Sequence, residues 1–155
     1  MRFRQIDKIT HLEPGKSIRA EKTLRGDEDY LRDHFPRFPV QPGVLMLESL
    51  YQASQFLVRA SENYHSGLVM MRDAKNVKFA SFLQPNETLV VEAEILKVEG
   101  KCYTLKASGT NGSNVCVAGR LVIECMQDGE PNSVDLHAAE YIRQIVEQLQ
   151  QVAMA

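Results

Sequence analysis

Several features are absent from this sequence, and each absence excludes a class of protein. The three cysteines form no Cys-x-x-Cys pair, so the sequence favours neither a disulfide framework nor a zinc site, and a cytoplasmic location is expected. No stretch approaches the ~18 apolar residues of a membrane helix, and the first residues lack the apolar segment of a secretory signal. With 18 basic and 20 acidic residues, the chain has no basic excess for binding nucleic acid.

The overall composition of the chain is typical of one folded domain. The chain has 155 residues, of which 44% are hydrophobic and 25% are charged. This hydrophobic content is enough to form a core, and it excludes intrinsic disorder. A chain of this size typically buries roughly 68–70% of the surface that its unfolded state exposes.

A long apolar helix is predicted in the first half of the chain. Pro36, Pro39 and Pro42 hold the preceding segment in a non-helical loop. Pro42 is well placed at the helix start, where its missing N–H costs no hydrogen bond. From residue 44 to about residue 64, apolar side chains cover nearly every face. A helix that is apolar all round is buried all round, so other elements must wrap this one.

Segments of alternating polarity predict the strands that wrap it. A short strand is expected near residues 18–24, then one helical turn within 27–33, then strands at 68–72, 76–81, 87–98, 102–110 and 115–125, separated by turn-forming sequences. One helix against a run of antiparallel strands is an α+β architecture. We therefore predict a curved antiparallel sheet around a central helix.

The end of the chain predicts a separate element. Residues 128–134 are polar and contain Gly129 and Pro131, as a linker would. Residues 135–153 carry apolar side chains at helical spacing, which predicts an amphipathic helix. We expect this helix to dock on the sheet edge or on a partner chain. The chain is accordingly divided into a domain of residues 1–127 and a linker with a C-terminal helix, residues 128–155.

Glu48 is a candidate catalytic residue because it lies inside the apolar helix. Burial disfavours the charged form of a carboxyl group, and a carboxyl that stays protonated can donate a proton near neutral pH. Gln52 follows at i+4, where its side chain can hydrogen-bond to Glu48 and orient it. The alternative is that Glu48 reaches a gap filled with solvent.

His34 and Gly43 are further candidates in the loop before the helix. A loop histidine is more often structural, but the prolines hold His34 in a stiff segment that leads directly into the helix. The first N–H groups of a helix are unpaired, so Gly43 can hold a carbonyl oxygen that becomes negative; a plain Pro-Gly turn explains Gly43 equally well. Sequence spacing does not bring His34 and Glu48 together, so the fold or a second chain must.

Together these residues resemble the signature of the 3-hydroxyacyl-[acyl-carrier-protein] dehydratases, a family with the hotdog fold. The matching pattern is His34-Phe35-Pro36-x-Phe38-Pro39-Val40-x-Pro42-Gly43-Val44-Leu45-x-x-Glu48-x-x-x-Gln52. The order of predicted elements over residues 1–126 is also similar to the family. Glutamate at position 48, rather than aspartate, resembles the broad-range branch, which does not isomerise the new double bond.

The resemblance implies an assembly and a reaction. In the family, two protomers join their sheets into a homodimer, often within a trimer of dimers, and the site combines a histidine from one protomer with a glutamate from the other. The substrate is a (3R)-hydroxyacyl chain on the phosphopantetheine arm of acyl carrier protein, used in fatty acid or lipid A precursor biosynthesis. The products are the trans-2-enoyl thioester and water, and no metal or redox cofactor is needed.

The same resemblance implies a role for each matching residue. His34 is the general base, the Gly43 N–H stabilises the thioester oxygen, and Glu48 helps the 3-hydroxyl depart as water while Gln52 orients Glu48. The proton for the hydroxyl comes either directly from Glu48 or from His34 acting as a shuttle, and the sequence leaves both routes open. An apolar tunnel for the acyl chain is expected to be lined by residues near the loop and the helix start, namely Phe35, Phe38, Pro39, Val40, Leu45, Leu47 and Tyr51.

The sequence also departs from the family pattern. Arg37 stands where glycine is common, Gln41 where methionine is common, and Asn86-Glu87 where a Gly-Asp pair is common. None of these changes removes a proton-transfer group. Docking of the acidic carrier protein requires local positive charge, for which Arg37, Lys75 and Lys78 are candidates; scattered solvated charges explain each of the three equally well.

Two alternative functions stay open on the sequence. A hotdog thioesterase would release free thiol from acyl thioesters. A non-catalytic acyl-binding subunit would bind acyl thioesters without turnover. The intact set of His34, Glu48 and Gln52 counts against the second alternative, since an inactive site has no need for a carboxyl inside an apolar helix.

Overall fold

The computed structural model describes residues 3–126 and 132–155. Over these residues the chain forms one sheet and two α-helices. In chain order the elements are β1 (Lys8–Glu13), β2 (Ser17–Thr23), a 3₁₀ turn (Asp29–Arg32), α1 (Gly43–Ser61), β3 (Val69–Phe79), β4 (Thr88–Glu99), β5 (Cys102–Asn111), β6 (Asn114–Cys125) and α2 (Ser133–Met154).

The six strands form a single sheet in the order β1-β2-β4-β5-β6-β3, and all neighbouring pairs are antiparallel. Helix α1 packs against every strand from β2 to β6, so the sheet curves around the helix. β1 and β3 are the two edges. The predicted α+β architecture is confirmed.

Two strands differ from the sequence-based expectation, and both are edge strands. β1 was not predicted, because Ile9 is its single buried residue and gives no alternating pattern. β3 is one strand rather than two. Its two predicted halves are joined by the polar run from Asp73 to Asn76, and a register shift lies at each end of this run, between Met71 and Asp73 and between Lys75 and Lys78. An edge strand tolerates such bulges.

Helix α1 supplies the centre of the core, but it is not buried on every side. Its buried face includes Leu50, Ala53 and Leu57, none of which is measurably exposed to solvent. The expectation of burial all round is wrong at the first turn, where Val44 is 69% exposed. The sheet curves far enough to cover most of the helix, and it leaves the side chains around the helix start open.

Helix α2 docks on β1, one of the two alternatives that the sequence left open. It begins two residues earlier than predicted, at Ser133. A capping box fixes this start: the Asp135 N–H donates to Asn132 Oδ1 (2.9 Å), and the Asn132 N–H donates to Asp135 Oδ2 (3.1 Å). Residues 128–131 of the predicted linker lie outside the described residues, and the division of the chain at residue 127 stays a prediction.

The docked face of α2 is expected to contribute to the stability of the whole fold. Val146 and Leu149 are buried and belong to the same core cluster as α1 and the sheet. We expect Leu149→Ala to lower the free energy of unfolding by about 2–5 kcal/mol, because it removes buried methyl groups and leaves a cavity. Urea unfolding measures this. The exposed neighbour Gln148 is the control, since Gln148→Ala is expected to change stability by less than about 0.5 kcal/mol. Equal effects of the two changes would contradict the docked position of α2.

Candidate active site

The His34 side chain is held in one orientation by the backbone of Val40. The Val40 N–H donates to the His34 carbonyl (3.0 Å), and His34 Nδ1 lies 3.0 Å from the Val40 carbonyl oxygen. Because a carbonyl can only accept, Nδ1 carries the proton in this contact. In the neutral ring, Nε2 is therefore left with a free lone pair, which is the state that a general base requires.

The loop around His34 is closed by its own backbone. The N–H groups of Phe35 and Phe38 each donate to the other residue's carbonyl, at 3.2 and 3.1 Å, and the Phe35 ring stacks on the His34 ring with centroids 4.3 Å apart. Gln41 joins the end of this loop to the segment after β3, because the Gln41 N–H donates to the Leu83 carbonyl at 2.9 Å. The proline-rich segment is thus an ordered loop, as predicted.

Gly43 opens α1, and its lack of a side chain has a structural reason. A Cβ atom at this position would lie 3.0 Å from the Phe79 ring, closer than most real contacts of a Cβ atom. As the first residue of the helix, Gly43 has an N–H without an acceptor inside the helix. Glycine therefore serves both the packing of Phe79 and the access to a backbone N–H.

A small cavity of about 200 Å³ brings part of the predicted site together. His34, Val40 and Gly43 line it. The other lining residues are Gln41, Met46, Phe79, Ala80, Ser81 and Phe82. Residues 79–82 were not predicted as part of the site, because the end of β3 and the segment after it meet the His34 loop only in the folded sheet. Gln41 and Met46 lie on the predicted loop and helix, but no local signal assigned them to the site. A signal was present in Phe82, a large apolar residue within a turn-forming sequence; it is 63% exposed and packs edge to face on Phe38.

Glu48 and Gln52 form a second group on α1. Gln52 Nε2 donates to Glu48 Oε1 at 3.0 Å, as the i+4 spacing predicts. Gln52 is buried and Glu48 is half-buried. Neither residue lines the cavity that holds His34. Within one chain, therefore, the proposed base and the proposed acid face different spaces.

Of the residues expected to line the acyl tunnel, likewise, only some line the His34 cavity. Val40 lines the cavity, whereas Phe35 and Phe38 are exposed at the surface beside it and Pro39, Leu45 and Leu47 are half-buried. Tyr51 points toward the sheet, since its hydroxyl donates to the Val69 carbonyl at 3.1 Å. Burial raises the pKa of this phenol, and the nearby Glu48 charge raises it further.

The three expected docking residues are at the surface, and the sheet adds two more. Arg37, Lys75 and Lys78 are all exposed. Strand register places Arg120 opposite Lys75 and Lys106 opposite Arg120. Three basic residues thus form a row across three strands, with carboxylates at both ends: Asp73 pairs with Lys75 at 3.7 Å, and Glu94 lies opposite Lys106. Sequence reasoning missed Arg120 and Lys106, because only the pairing of three strands brings them beside Lys75.

Within residues 3–126 and 132–155, no group of three or more His, Cys, Asp or Glu side chains is arranged to hold a metal ion. In the same part of the chain, no helix is both long enough and apolar enough to cross a membrane.

Residues 1–126 match the FabA-like domain family. The chain belongs to this family. A 3-hydroxyacyl-[acyl-carrier-protein] dehydratase from Clostridium kluyveri is 32% identical over 120 residues, which cover 77% of this chain and 83% of that protein. A protein of the same name from Wolbachia pipientis is 38% identical over 96 residues, which cover 62% of this chain and 67% of that protein.

Solved structures show the same fold at much lower identity. A chain of the dehydratase heterocomplex ApeI:P from Xenorhabdus doucetiae aligns with a TM-score of 0.62 at 17% identity, covering 87% of this chain and 88% of that one. An uncharacterised protein from Pyrococcus horikoshii aligns with a TM-score of 0.63 at 15% identity, covering 83% of this chain and 88% of that one. The predicted hotdog fold is confirmed by these likenesses.

Proposed function

We propose that this protein dehydrates (3R)-hydroxyacyl chains carried on acyl carrier protein to trans-2-enoyl thioesters, in fatty acid biosynthesis. The observation that carries the proposal is the fixed His34 ring, whose Nε2 lone pair lies free while Nδ1 donates to the Val40 carbonyl. The name and identity of the relatives, 32–38% over the matched residues, support the same reaction class.

The first half of the reaction is the removal of a proton from C2 of the substrate. His34 Nε2 takes this proton, and the electron pair of the broken C2–H bond moves toward the thioester carbonyl. The Gly43 N–H, at the positive end of α1, donates to the thioester oxygen as that oxygen becomes negative. The cavity beside both groups has mostly apolar walls, which strengthens this hydrogen bond relative to water.

The second half is the departure of the 3-hydroxyl. Glu48 donates a proton to this hydroxyl, and the C3–O bond breaks with its electron pair leaving on the oxygen of the departing water. The electron pair that the C2–H bond left on the enolate then forms the C2=C3 double bond. Gln52 holds Glu48 in place through the 3.0 Å hydrogen bond. The proton on His34 then returns to Glu48 through solvent, which restores both groups for the next cycle.

The site that we propose combines two copies of the chain. Glu48 does not line the His34 cavity of its own protomer, so the acid has to come from a neighbour. Large apolar side chains stay exposed around the cavity, as at a protein interface; they are Phe35, Phe38, Val44, Phe79 and Phe82. A homodimer, with trimers of dimers as a further assembly, covers these side chains and supplies the partner's acid.

The two proton-transfer residues are tested by substitution. His34→Ala and Glu48→Gln are each expected to reduce the hydration of crotonyl thioester, the reverse reaction, by about 10²–10⁴-fold, measured as the loss of enoyl absorbance. His137→Ala, at an exposed position of α2, is the control and should keep full activity. A thiol-trapping dye in the same assay would detect thioester hydrolysis. Full hydration activity in either site variant, or release of thiol instead of hydration, would refute the proposal.

The sharing of the site is tested by mixing the two inactive variants. When His34→Ala and Glu48→Gln chains are unfolded together and refolded, half of the dimers contain one chain of each kind. One of the two sites in such a dimer has both intact residues, so about a quarter of the wild-type activity should return. If both residues served the same chain's site, the mixture would stay inactive.

Carrier docking is tested by charge reversal on β3. Lys75→Glu with Lys78→Glu is expected to raise the KM for carrier-bound substrate about fivefold, because it reverses two charges that face an acidic partner. The KM for a small thioester should not change. Lys97→Glu, at an exposed position of β4, is the control. An equal rise in KM for both kinds of substrate would argue against docking at this surface.

A further inference from the structure

The amide group of Gln52 is held at three points, and two of them lie in the segment before β1. Gln52 Nε2 donates to the Phe3 carbonyl at 2.6 Å and to Glu48 Oε1 at 3.0 Å. Gln52 Oε1 accepts from the Gln5 N–H at 2.6 Å. A carbonyl can only accept and an N–H can only donate, so the amide has one possible orientation. Gln52 must present an N–H, and not an oxygen, to Glu48.

The segment that fixes Gln52 is itself anchored by a buried amide pair. Gln41 Nε2 donates to Gln5 Oε1 at 3.3 Å. Both side chains are almost fully buried, with Gln5 3% and Gln41 2% exposed. This contact ties residues 3–5 to the residue that comes just before Pro42 and α1. A continuous set of contacts therefore runs from Gln41 through Gln5 and Gln52 to Glu48.

A buried amide at position 41 is costly, which calls for a reason beyond packing. Among the described residues, Gln41 Oε1 and the Tyr30 hydroxyl have no partner that fully satisfies hydrogen-bond geometry. Burial raises the pKa of Tyr30, and the polar contact with the Gln41 side chain opposes this rise. Burying an amide without full hydrogen bonding costs roughly 1–3 kcal/mol in proteins. An apolar side chain of the same size, such as methionine, would avoid this cost.

We propose that Gln5 and Gln41 are positioning residues for the reaction: they hold residues 3–5 against α1, so that Gln52 can only direct its N–H at Glu48. This inference rests on the proposed function of Glu48 as a proton donor. Once Glu48 has given up its proton, the remaining carboxylate accepts a charge-assisted hydrogen bond from Gln52. An inverted amide would place an oxygen against that carboxylate and oppose the reaction.

The test is a double-mutant cycle between Gln41 and Gln52. Gln41→Met keeps the volume of the side chain and removes the donor to Gln5. It is expected to lower kcat for hydration of crotonyl thioester about tenfold, because Gln52 and Glu48 lose their fixed geometry, while KM changes less than about twofold. In a Gln52→Ala background, Gln41→Met should cause no further loss, because it acts through the amide that is already gone.

A matched control distinguishes positioning from a general effect on the core. Ser54 is a buried polar residue of α1 whose hydroxyl, like Gln41 Oε1, has no hydrogen-bond partner among the described residues; Ser54→Ala is expected to leave kcat and KM unchanged. If Gln41→Met fails to fold, the double variant Gln5→Leu with Gln41→Met replaces both partners by apolar groups, which is close to neutral for stability. It should show the same loss of kcat.

Three results would overturn the inference. They are a kcat within about twofold of wild type in Gln41→Met, an equal loss in the wild-type and Gln52→Ala backgrounds, and a rise in KM with kcat unchanged, which would assign Gln41 to the wall of the cavity alone. A wild-type protein that does not hydrate enoyl thioesters at all would refute the proposed function and this role with it. The two failures are thus distinguishable.

Discussion

An apolar helix is stable in water only when other elements cover it. The way in which the sheet covers α1 determines where the candidate site lies. Fully burying one large apolar side chain is worth about 1.5–3 kcal/mol, so the sheet curves around the helix and buries Leu50, Ala53 and Leu57 completely. The cover ends at the first turn, where Val44 is exposed. This is also where the His34 loop enters the helix and where the cavity forms. The opening of the core and the candidate site are the same place.

The part of the fold that follows from local patterns was predicted well. The proline-rich loop, α1, the capped α2 and the strands β4, β5 and β6 each have a periodicity or a turn signal of their own. The edge strands do not. β1 has one fully buried residue, Ile9, and β3 carries two bulges in a polar segment. β1 is explained only by the docking of α2 on it, and the register shifts of β3 are explained only by its pairing with β6; both partners lie far away in the sequence.

The candidate site was likewise predicted only in part, namely where its contacts join residues that are close in the sequence. The positions of His34, Gly43, Glu48 and Gln52 on one loop and one helix follow from spacing, including the hydrogen bond between the last two. The contacts made across the fold do not. Gln5 and Gln52 are 47 positions apart, and nothing in either local sequence indicates that the backbone of one fixes the amide of the other. The row of Lys75, Arg120 and Lys106 likewise needs the register of three strands.

Helix geometry explains why one chain does not complete the site that we propose. Successive residues of an α-helix are ~100° apart around the axis. Gly43 and Met46 are then about 60° apart on this estimate, and both line the His34 cavity. Glu48 lies ~140° from Gly43 and ~160° from Met46, on the opposite side of the helix, where Gln52 joins it one turn later. No change of rotamer moves a carboxyl group around the helix to His34. In the proposed dimer, a second α1 whose Glu48 face lies against the opening of the first would supply what is missing, and a twofold axis there would make the arrangement reciprocal. The same contact covers the exposed apolar side chains at that opening, so the proposed chemistry and the incomplete cover of α1 require the same partner.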